Sequence, residues 1–308
     1  MGITTIRIFK MQTAWVFPGQ GSQKLGMGND VIEINDAKRK FDFASNIFKR
    51  DLYQICGLQT ENKKDENDLN NTKNTQICLF LIESILLDSL KSKGYKPDFL
   101  AGHSLGEITA LYASEVLSFE DCVDLIKIRS ELMSAADQGS MAALIGFDRD
   151  ELQIEVNNNS DVVIANDNSS NQVVLSGKKE VLDNLSKKIT CKRFIFLNVS
   201  GAFHSHFMEE PSRKFSQYLD EINFKDPIIP VISNSNPTFT KDASELKLRL
   251  KEQMCNGVRW RETMDLMSKG GNLHLVEIGP SNVLGGLAKR HLKDARISQV
   301  SSSALLSY

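Results

Sequence analysis

Several things are scarce in this chain of 308 residues, and each scarcity removes a class of protein. Charge excess is one: 37 Lys and Arg stand against 39 Asp and Glu, so no overall electrostatic pull toward nucleic acid exists. Cysteine pairing is another. The five cysteines (Cys56, Cys78, Cys122, Cys191 and Cys255) are odd in number, scattered and never in Cys-x-x-Cys spacing. That pattern fits a reducing compartment and predicts no metal site. Long apolar runs are also missing. The best, residues 77–90, is too short to span a bilayer and carries Glu83 and Asp88, so it reads as a buried helix and no membrane partner is expected. What remains is a chain with 41% apolar residues, enough to bury one large core, or one large and one smaller domain.

Met1-Gly2 opens like a myristoylation signal, but Ile6 stands where Ser or Thr is required. Arg7 and Lys10 hint at targeting in a segment too short for a transit peptide. Met11 immediately precedes a strand-like run, so an upstream or misassigned start is the simpler reading. The cytoplasm is the expected location and a monomer the expected state.

Residues 13–17 read as a strand running into Pro18-Gly19-Gln20-Gly21-Ser22-Gln23, the Gly-rich edge of an α/β site. From residue 57 to 76 the chain is crowded with Asn, Lys, Asp and Glu and predicts an exposed excursion before a helix over 77–92. A strand over 98–101 and a helix over 107–114 flank Gly102-His103-Ser104-Leu105-Gly106. Residues 141–199 then predict a β-α-β-β-α-β order, the ferredoxin-like signature, inserted into a larger α/β unit. That unit resumes with a strand over 228–233, a long polar helix and a strand over 274–278.

A serine hydroxyl attacks only when its position is enforced and a base takes its proton. The Gly-x-Ser-x-Gly elbow enforces the position, lifting Ser104 out of the sheet with the Leu105 N–H facing a developing oxyanion. Taken bare, the motif also occurs in turns without chemistry; the strand before it and the helix after it give it context here. Only five histidines can supply the base. His103 sits inside the elbow and points elsewhere, His291 follows Lys289-Arg290 on a basic, solvated helix, and His274 alternates with Leu273 and Leu275 as a structural strand residue. His204 and His206 remain, in one loop, and pattern does not choose between them. Arg129 falls on the apolar face of a helix with Leu125, Ile128 and Leu132, so it snorkels, pairs with a buried acid or binds an anion. No acid between residues 104 and 204 sits at a strand end followed by a turn, so a Ser-His-Asp triad is not supported. Glu107, three residues after Ser104, reads as structural or capping.

Over nearly its whole length after Met11 the chain resembles the malonyl-CoA:acyl carrier protein transacylases and the related acyltransferase domains of polyketide synthases. The resemblance rests on residues 16–23, 101–107, Arg129, 141–143, 172–177, Phe203-His204-Ser205, Val258-Arg259-Trp260 and Glu277-Ile278-Gly279-Pro280. It implies an α/β fold: an α/β-hydrolase-like large domain over residues 11–138 and 201–308, with a ferredoxin-like subdomain over 139–200. It further implies Ser104 as nucleophile, His204 rather than His206 as base, and Arg129 as the ligand of a malonyl carboxylate. Gln20 and Leu105 would give backbone N–H groups to the oxyanion. Gln253 would lie beside the histidine, which a main-chain carbonyl near that position would orient. Leu105 and Phe203 match the malonyl-selective pattern. Malonyl-CoA and a phosphopantetheinylated acyl carrier protein would be the partners, with no cofactor. Lys187-Lys188, Lys192-Arg193 and Lys289-Arg290 are candidate docking charges for an acidic carrier, although such pairs are more often just a solvated face. A thioesterase, a trans-acting polyketide acyltransferase and a non-catalytic carrier-binding module are the rival readings. Three departures stand out: Gly257 and Ile77 occupy positions where the family commonly has proline, and the Asn/Lys-rich stretch is peculiar to this chain.

Overall fold

A parallel strand buried on both faces is apolar along its length, and β1 (Gln12–Phe17) is fully buried from Ala14 onward. The computed structural model describes residues 11–57 and 67–306. After β1 come three helices, α1 (Ala37–Phe48), α2 (Leu52–Gly57) and α3 (Thr72–Ser92), then strand β2 (Phe99–Gly102) and helices α4 (Gly106–Ala113) and α5 (Phe119–Ala135). The next stretch holds β3 (Ser140–Phe147), α6 (Arg149–Asn157), β4 (Val162–Ser169), β5 (Gln172–Gly177), α7 (Lys179–Lys188) and β6 (Cys191–Phe196). The chain closes with α8 (Glu209–Glu221), β7 (Val231–Ile232), β8 (Phe239–Thr240), α9 (Ala243–Glu252), α10 (Trp260–Ser268), β9 (Leu273–Ile278), α11 (Val283–His291) and β10 (Arg296–Val300). The fold is mixed α/β.

Two sheets result. The larger runs β10-β9-β1-β2-β7-β8, parallel throughout except for the β7–β8 pair. One core packs α3, α4 and α5 against one face; a second places Trp260, Met264 and Leu287 against the other. Because β1 and β2 are adjacent and parallel, with Phe17 level with Gly102, both deliver their loops to the same sheet edge. Loops at the carboxyl ends of parallel strands are where such sheets carry sites. The smaller sheet is antiparallel, ordered β4-β5-β3-β6. Leu152, Leu182 and Leu185 from α6 and α7 cover one of its faces. Asn166 pairs in parallel with Val258, so β4 is stitched to the segment after α9.

The polar stretch before residue 77 departs from its predicted exposure. Helix α3 starts at Thr72, capped by Asn71, whose side chain accepts from the Lys73 N–H. Thr72, Asn74, Thr75 and Gln76 are buried, not solvated. Each has a partner that makes this tolerable: Thr72 accepts from the Gln20 side chain, Asn74 donates to the Asp68 carbonyl, Thr75 to the Leu69 carbonyl, and Gln76 accepts from Arg129. Residues 58–66 of that stretch, and residues 1–10, lie outside the described residues. The predicted strand over 228–233 is only two residues long, because β7 pairs with β2 at Leu100 and Ala101 alone. His291 is not solvated; its Nε2 lies 2.7 Å from Asp265 Oδ1, bridging α11 to α10. His274 bonds Ser298 on β10, away from Ser104. Among the described residues no helix is long and apolar enough to cross a membrane.

Candidate active site

Ser104 sits at the turn between β2 and α4 with φ of 53°, a left-handed conformation that few side chains adopt. The flanking glycines are there for space. A Cβ on Gly102 would lie 1.9 Å from Gly106 carbon and oxygen, and one on Gly106 would lie 2.0 Å from the Phe17 carbonyl. The turn is held from outside by Asn234, just past β7. Its Oδ1 accepts from the Ser104 N–H at 2.7 Å and its Nδ2 donates to the Gly102 carbonyl at 2.6 Å. His103 turns away, bonding Asn168 at 2.8 Å and meeting the Trp260 ring edge-on.

The loop after β6 brings His204, not His206, to the serine. His204 Nε2 lies 2.8 Å from Ser104 Oγ. Its Nδ1 faces two main-chain carbonyls, Gln253 at 2.9 Å and Asn256 at 3.2 Å. Both are acceptors only, so Nδ1 carries the proton and Nε2 is left to accept one. Burial, and after it the positive charge of Arg129, holds the His204 pKa down to about 4. The ring is therefore a neutral base at physiological pH. His206 lies against the Phe207 ring at a tilt and lines a different cavity with Pro211 and Lys214.

Arg129 projects from α5 into the same cleft and is 1% exposed. Its Nη1 donates to Gln76 Oε1 at 2.6 Å, and its Nη2 to Gln253 Oε1 at 2.8 Å and Ser104 Oγ at 3.2 Å. Burial lowers its pKa to about 10, which leaves it charged at neutral pH. Among the described residues its Nε has no hydrogen-bond partner. Gln253, at the end of α9, is shared by the whole site: besides Arg129 it donates to the Ser104 carbonyl at 2.9 Å and to Glu107 at 2.8 Å. Gln20 and Leu105 both line the cleft, and the two loops touch, since a Cβ on Gly19 would lie 2.4 Å from the His103 carbonyl.

The cleft holds about 280 Å³ and continues onto the open face of the small sheet, where Met141, Ala143, Val174 and Leu197 make an apolar wall. Gly257 packs close to β4, 2.8 Å separating its would-be Cβ from the Ile164 carbonyl. The neighbouring Val258 N–H bonds the Ala165 carbonyl at 2.8 Å and its carbonyl receives the Asp167 N–H at 2.9 Å, so the segment following Gln253 is pinned without proline. Ile77 lies inside α3. Three contacts escaped the sequence reading: Gln76 on Arg129, Asn234 on the elbow and Glu107 on Gln253. Only Asn234 had a signal, a polar residue just past a strand at the sheet's carboxyl edge. Among the described residues no cluster of His, Cys, Asp or Glu is arranged to hold a metal.

A serine with a neutral imidazole at its hydroxyl and a buried guanidinium beside it can form an ester and hold an anionic group. Comparison with known proteins agrees. The family model described as acyl transferase domain matches residues 14–307. The malonyl CoA-acyl carrier protein transacylase of Synechocystis is 45% identical over 290 residues, covering 94% of this chain and 97% of that protein. A polyketide biosynthesis malonyl CoA-acyl carrier protein transacylase of Bacillus subtilis is 37% identical, covering 91% of this chain and 97% of that protein. The crystal structure of the Synechocystis transacylase superposes with a TM-score of 0.92 at 44% identity, covering 96% of this chain and 99% of that one. A malonyl-transacylase solved in complex with its type II polyketide acyl-carrier protein gives 0.88 at 32% identity, covering 96% and 97%. The chain belongs to the acyl transferase domain family and, within it, to the malonyl-CoA:acyl carrier protein transacylases.

Proposed function

We propose that this chain moves the malonyl group of malonyl-CoA to the phosphopantetheine thiol of an acyl carrier protein through an ester on Ser104. The observation that carries the reading is the arrangement of one serine hydroxyl within hydrogen-bond reach of both His204 Nε2 and Arg129 Nη2. His204 takes the hydroxyl proton as Ser104 Oγ attacks the thioester carbonyl. The oxyanion is met by the N–H groups of Gln20 and Leu105. Collapse expels the coenzyme A thiolate, which takes the proton from Nε2. The carrier thiol then gives its proton to the same nitrogen and attacks the ester carbonyl, and Ser104 Oγ leaves with that proton. The malonyl carboxylate lies against Arg129, whose unpartnered Nε and terminal nitrogens suit a planar two-oxygen partner. The apolar wall of the cleft disfavours water as the second acceptor.

The architecture that goes with this reading is an α/β-hydrolase-like domain over residues 11–138 and 201–308, with a ferredoxin-like subdomain over 139–200. Its support is the parallel run β10-β9-β1-β2-β7 and the small sheet's β4-β5-β3-β6 order with helices on one face.

Intact-mass measurement after mixing with malonyl-CoA tests the reading. One malonyl unit should appear on the wild type, be absent from Ser104→Ala, and be discharged by holo carrier protein. Free malonate released at the same rate without carrier would make the chain a hydrolase instead. Carrier binding without any ester would make it a docking module.

A further inference from the structure

Arg129 is buried, yet among the described residues no carboxylate lies within ion-pair distance of it; its three partners, Gln76, Gln253 and Ser104, are neutral. A buried guanidinium without a counter-charge is strongly unfavourable. Glu107, in the first turn of α4, is buried to the same degree and, among the described residues, likewise has no Lys or Arg within ion-pair distance. Its Oε2 accepts from Gln253 Nε2 at 2.8 Å and from the Asn234 N–H at 3.2 Å. One side-chain amide therefore stands between the two charges, its oxygen on the guanidinium and its N–H on the carboxylate. The reverse orientation would set donor against donor and oxygen against oxygen, so the two charges fix the amide and the amide couples the charges.

We propose that Glu107 is the resting counter-charge of Arg129, relayed through Gln253, and thereby a positioning residue that sets how tightly the site holds a carboxylate-bearing acyl group. This rests on the reading that Arg129 receives the malonyl carboxylate. Burial raises the Glu107 pKa, and bonds from Gln253 and Asn234, with the charge of Arg129, pull it back toward the ionised form. The same carboxylate counters the burial that lowers Arg129. An arriving malonyl carboxylate competes with Glu107 for one positive charge. Glu107 thus weakens the grip on the cargo, which suits a site that must hand it to a second thiol.

The test uses Ser104→Ala, which binds without forming an ester, and the same protein carrying Glu107→Gln, which keeps the shape and can still accept both hydrogen bonds. Calorimetric titration with malonyl-CoA should show tighter binding in the double variant, on the order of tenfold for a unit charge removed several ångström away. Acetyl-CoA affinity should not move. Equal weakening of both ligands would make Glu107 merely structural, and no change in either would make it a neutral acid; both results overturn the inference. If the parent does not prefer malonyl-CoA to acetyl-CoA, the malonyl reading falls and takes this inference with it. A preference left unaltered by Glu107→Gln removes the inference alone. Should Glu107→Gln fold poorly, denaturant unfolding of Glu107→Gln/Arg129→Ala against the single variants decides. Loss of both charges together should cost less than the two losses summed, and strict additivity would overturn the coupling.

Discussion

His204 Nδ1 donates to the main-chain carbonyl of Gln253, while the side chain of the same glutamine binds Arg129, Glu107 and the Ser104 carbonyl. One residue therefore orients His204 with its backbone and Arg129 with its side chain, the two groups proposed as base and carboxylate ligand. The two duties separate by mutation. Gln253→Ala keeps the carbonyl, so acylation by acetyl-CoA should stay within a few-fold of wild type, while acylation by malonyl-CoA should fall about tenfold, of the size of a lost hydrogen bond to a charged group. His204→Ala should slow both by about 10²- to 10⁴-fold, the usual contribution of a positioned base. Single-turnover rates with both thioesters check this; an equal loss with both in Gln253→Ala would show that its side chain also holds the histidine.

Arg129→Ala removes the buried cation proposed to meet the cargo carboxylate and also a donor to Ser104 Oγ. Malonyl transfer should be lost while activity toward acetyl-CoA rises relative to it. Competition between the two thioesters in one reaction reads the ratio directly. An unchanged malonyl-to-acetyl ratio would remove Arg129 from the specificity of the enzyme.

The pH dependence follows from the depressed pKa of His204, about 4 against an ordinary 6.5. Since the folded value lies below the unfolded one, the native state favours the neutral ring. Acylation should hold level from neutral pH to about 5 and decline as pH falls through about 4. Stability should decrease over the window from 6.5 to 4, where the unfolded chain binds a proton that the native ring refuses. Arg129→Ala removes the second cause of the depression, so the kinetic inflection should move upward in that variant. An inflection near 6.5 in the wild type would mean that the ring is solvated in the working enzyme.

Local chemistry was legible in the chain and long-range pairing was not. The elbow around Ser104 and the place of Arg129 on an apolar helix face are written within a few residues, so sequence pattern reaches them. His204 and His206 share one loop; the choice is made by the left-handed backbone at His204 and by Ser205, whose hydroxyl bonds the Ala202 carbonyl and caps the turn that follows. The beginning of α3 read as solvated because Asn, Thr and Gln signal exposure when their partners are invisible. Gln76 meets Arg129 across 53 residues, and Asn234 meets Ser104 across 130. No periodicity encodes such pairs, and the backbone carbonyl that meets His204 Nδ1 in place of a triad acid is visible only through the family resemblance.

Asn234 fixes the turn at Ser104 by two short bonds in a buried place. Asn234→Ala leaves the Ser104 N–H and the Gly102 carbonyl without this partner, at about 1–3 kcal/mol for each group left unsatisfied. Denaturant unfolding should register that loss, and acylation should slow because the strained turn at Ser104 is no longer held. Asn234→Asp keeps the acceptor for Ser104 but loses the donor to Gly102, and should fall between the two. Wild-type stability in Asn234→Ala would mean that the turn is held by the strand and helix alone.

Gly19 marks where the loop carrying Gln20 touches the elbow. A Cβ there would lie 2.4 Å from the His103 carbonyl oxygen, a clash with the backbone of the elbow itself. The turn has little freedom to yield, because Ser22 bonds the Gly19 carbonyl with both its N–H and its hydroxyl. Gly19→Ala must therefore drive the two loops apart, and with them the N–H groups of Gln20 and Leu105. If those two amides hold the oxyanion, acylation should drop by about 10²- to 10³-fold, as when one oxyanion donor is lost. The accompanying loss of stability should be only that of local overpacking, about 1–3 kcal/mol. Gly102→Ala is the contrast: its Cβ would sit 1.9 Å from Gly106 in the middle of the elbow, so this variant should fail to fold. Single-turnover acylation by malonyl-CoA, measured well below the unfolding temperature of Gly19→Ala, separates catalysis from stability. A folded Gly19→Ala enzyme acylating at the wild-type rate would remove the Gln20 amide from the oxyanion site and leave Leu105 to hold the charge with the start of α4.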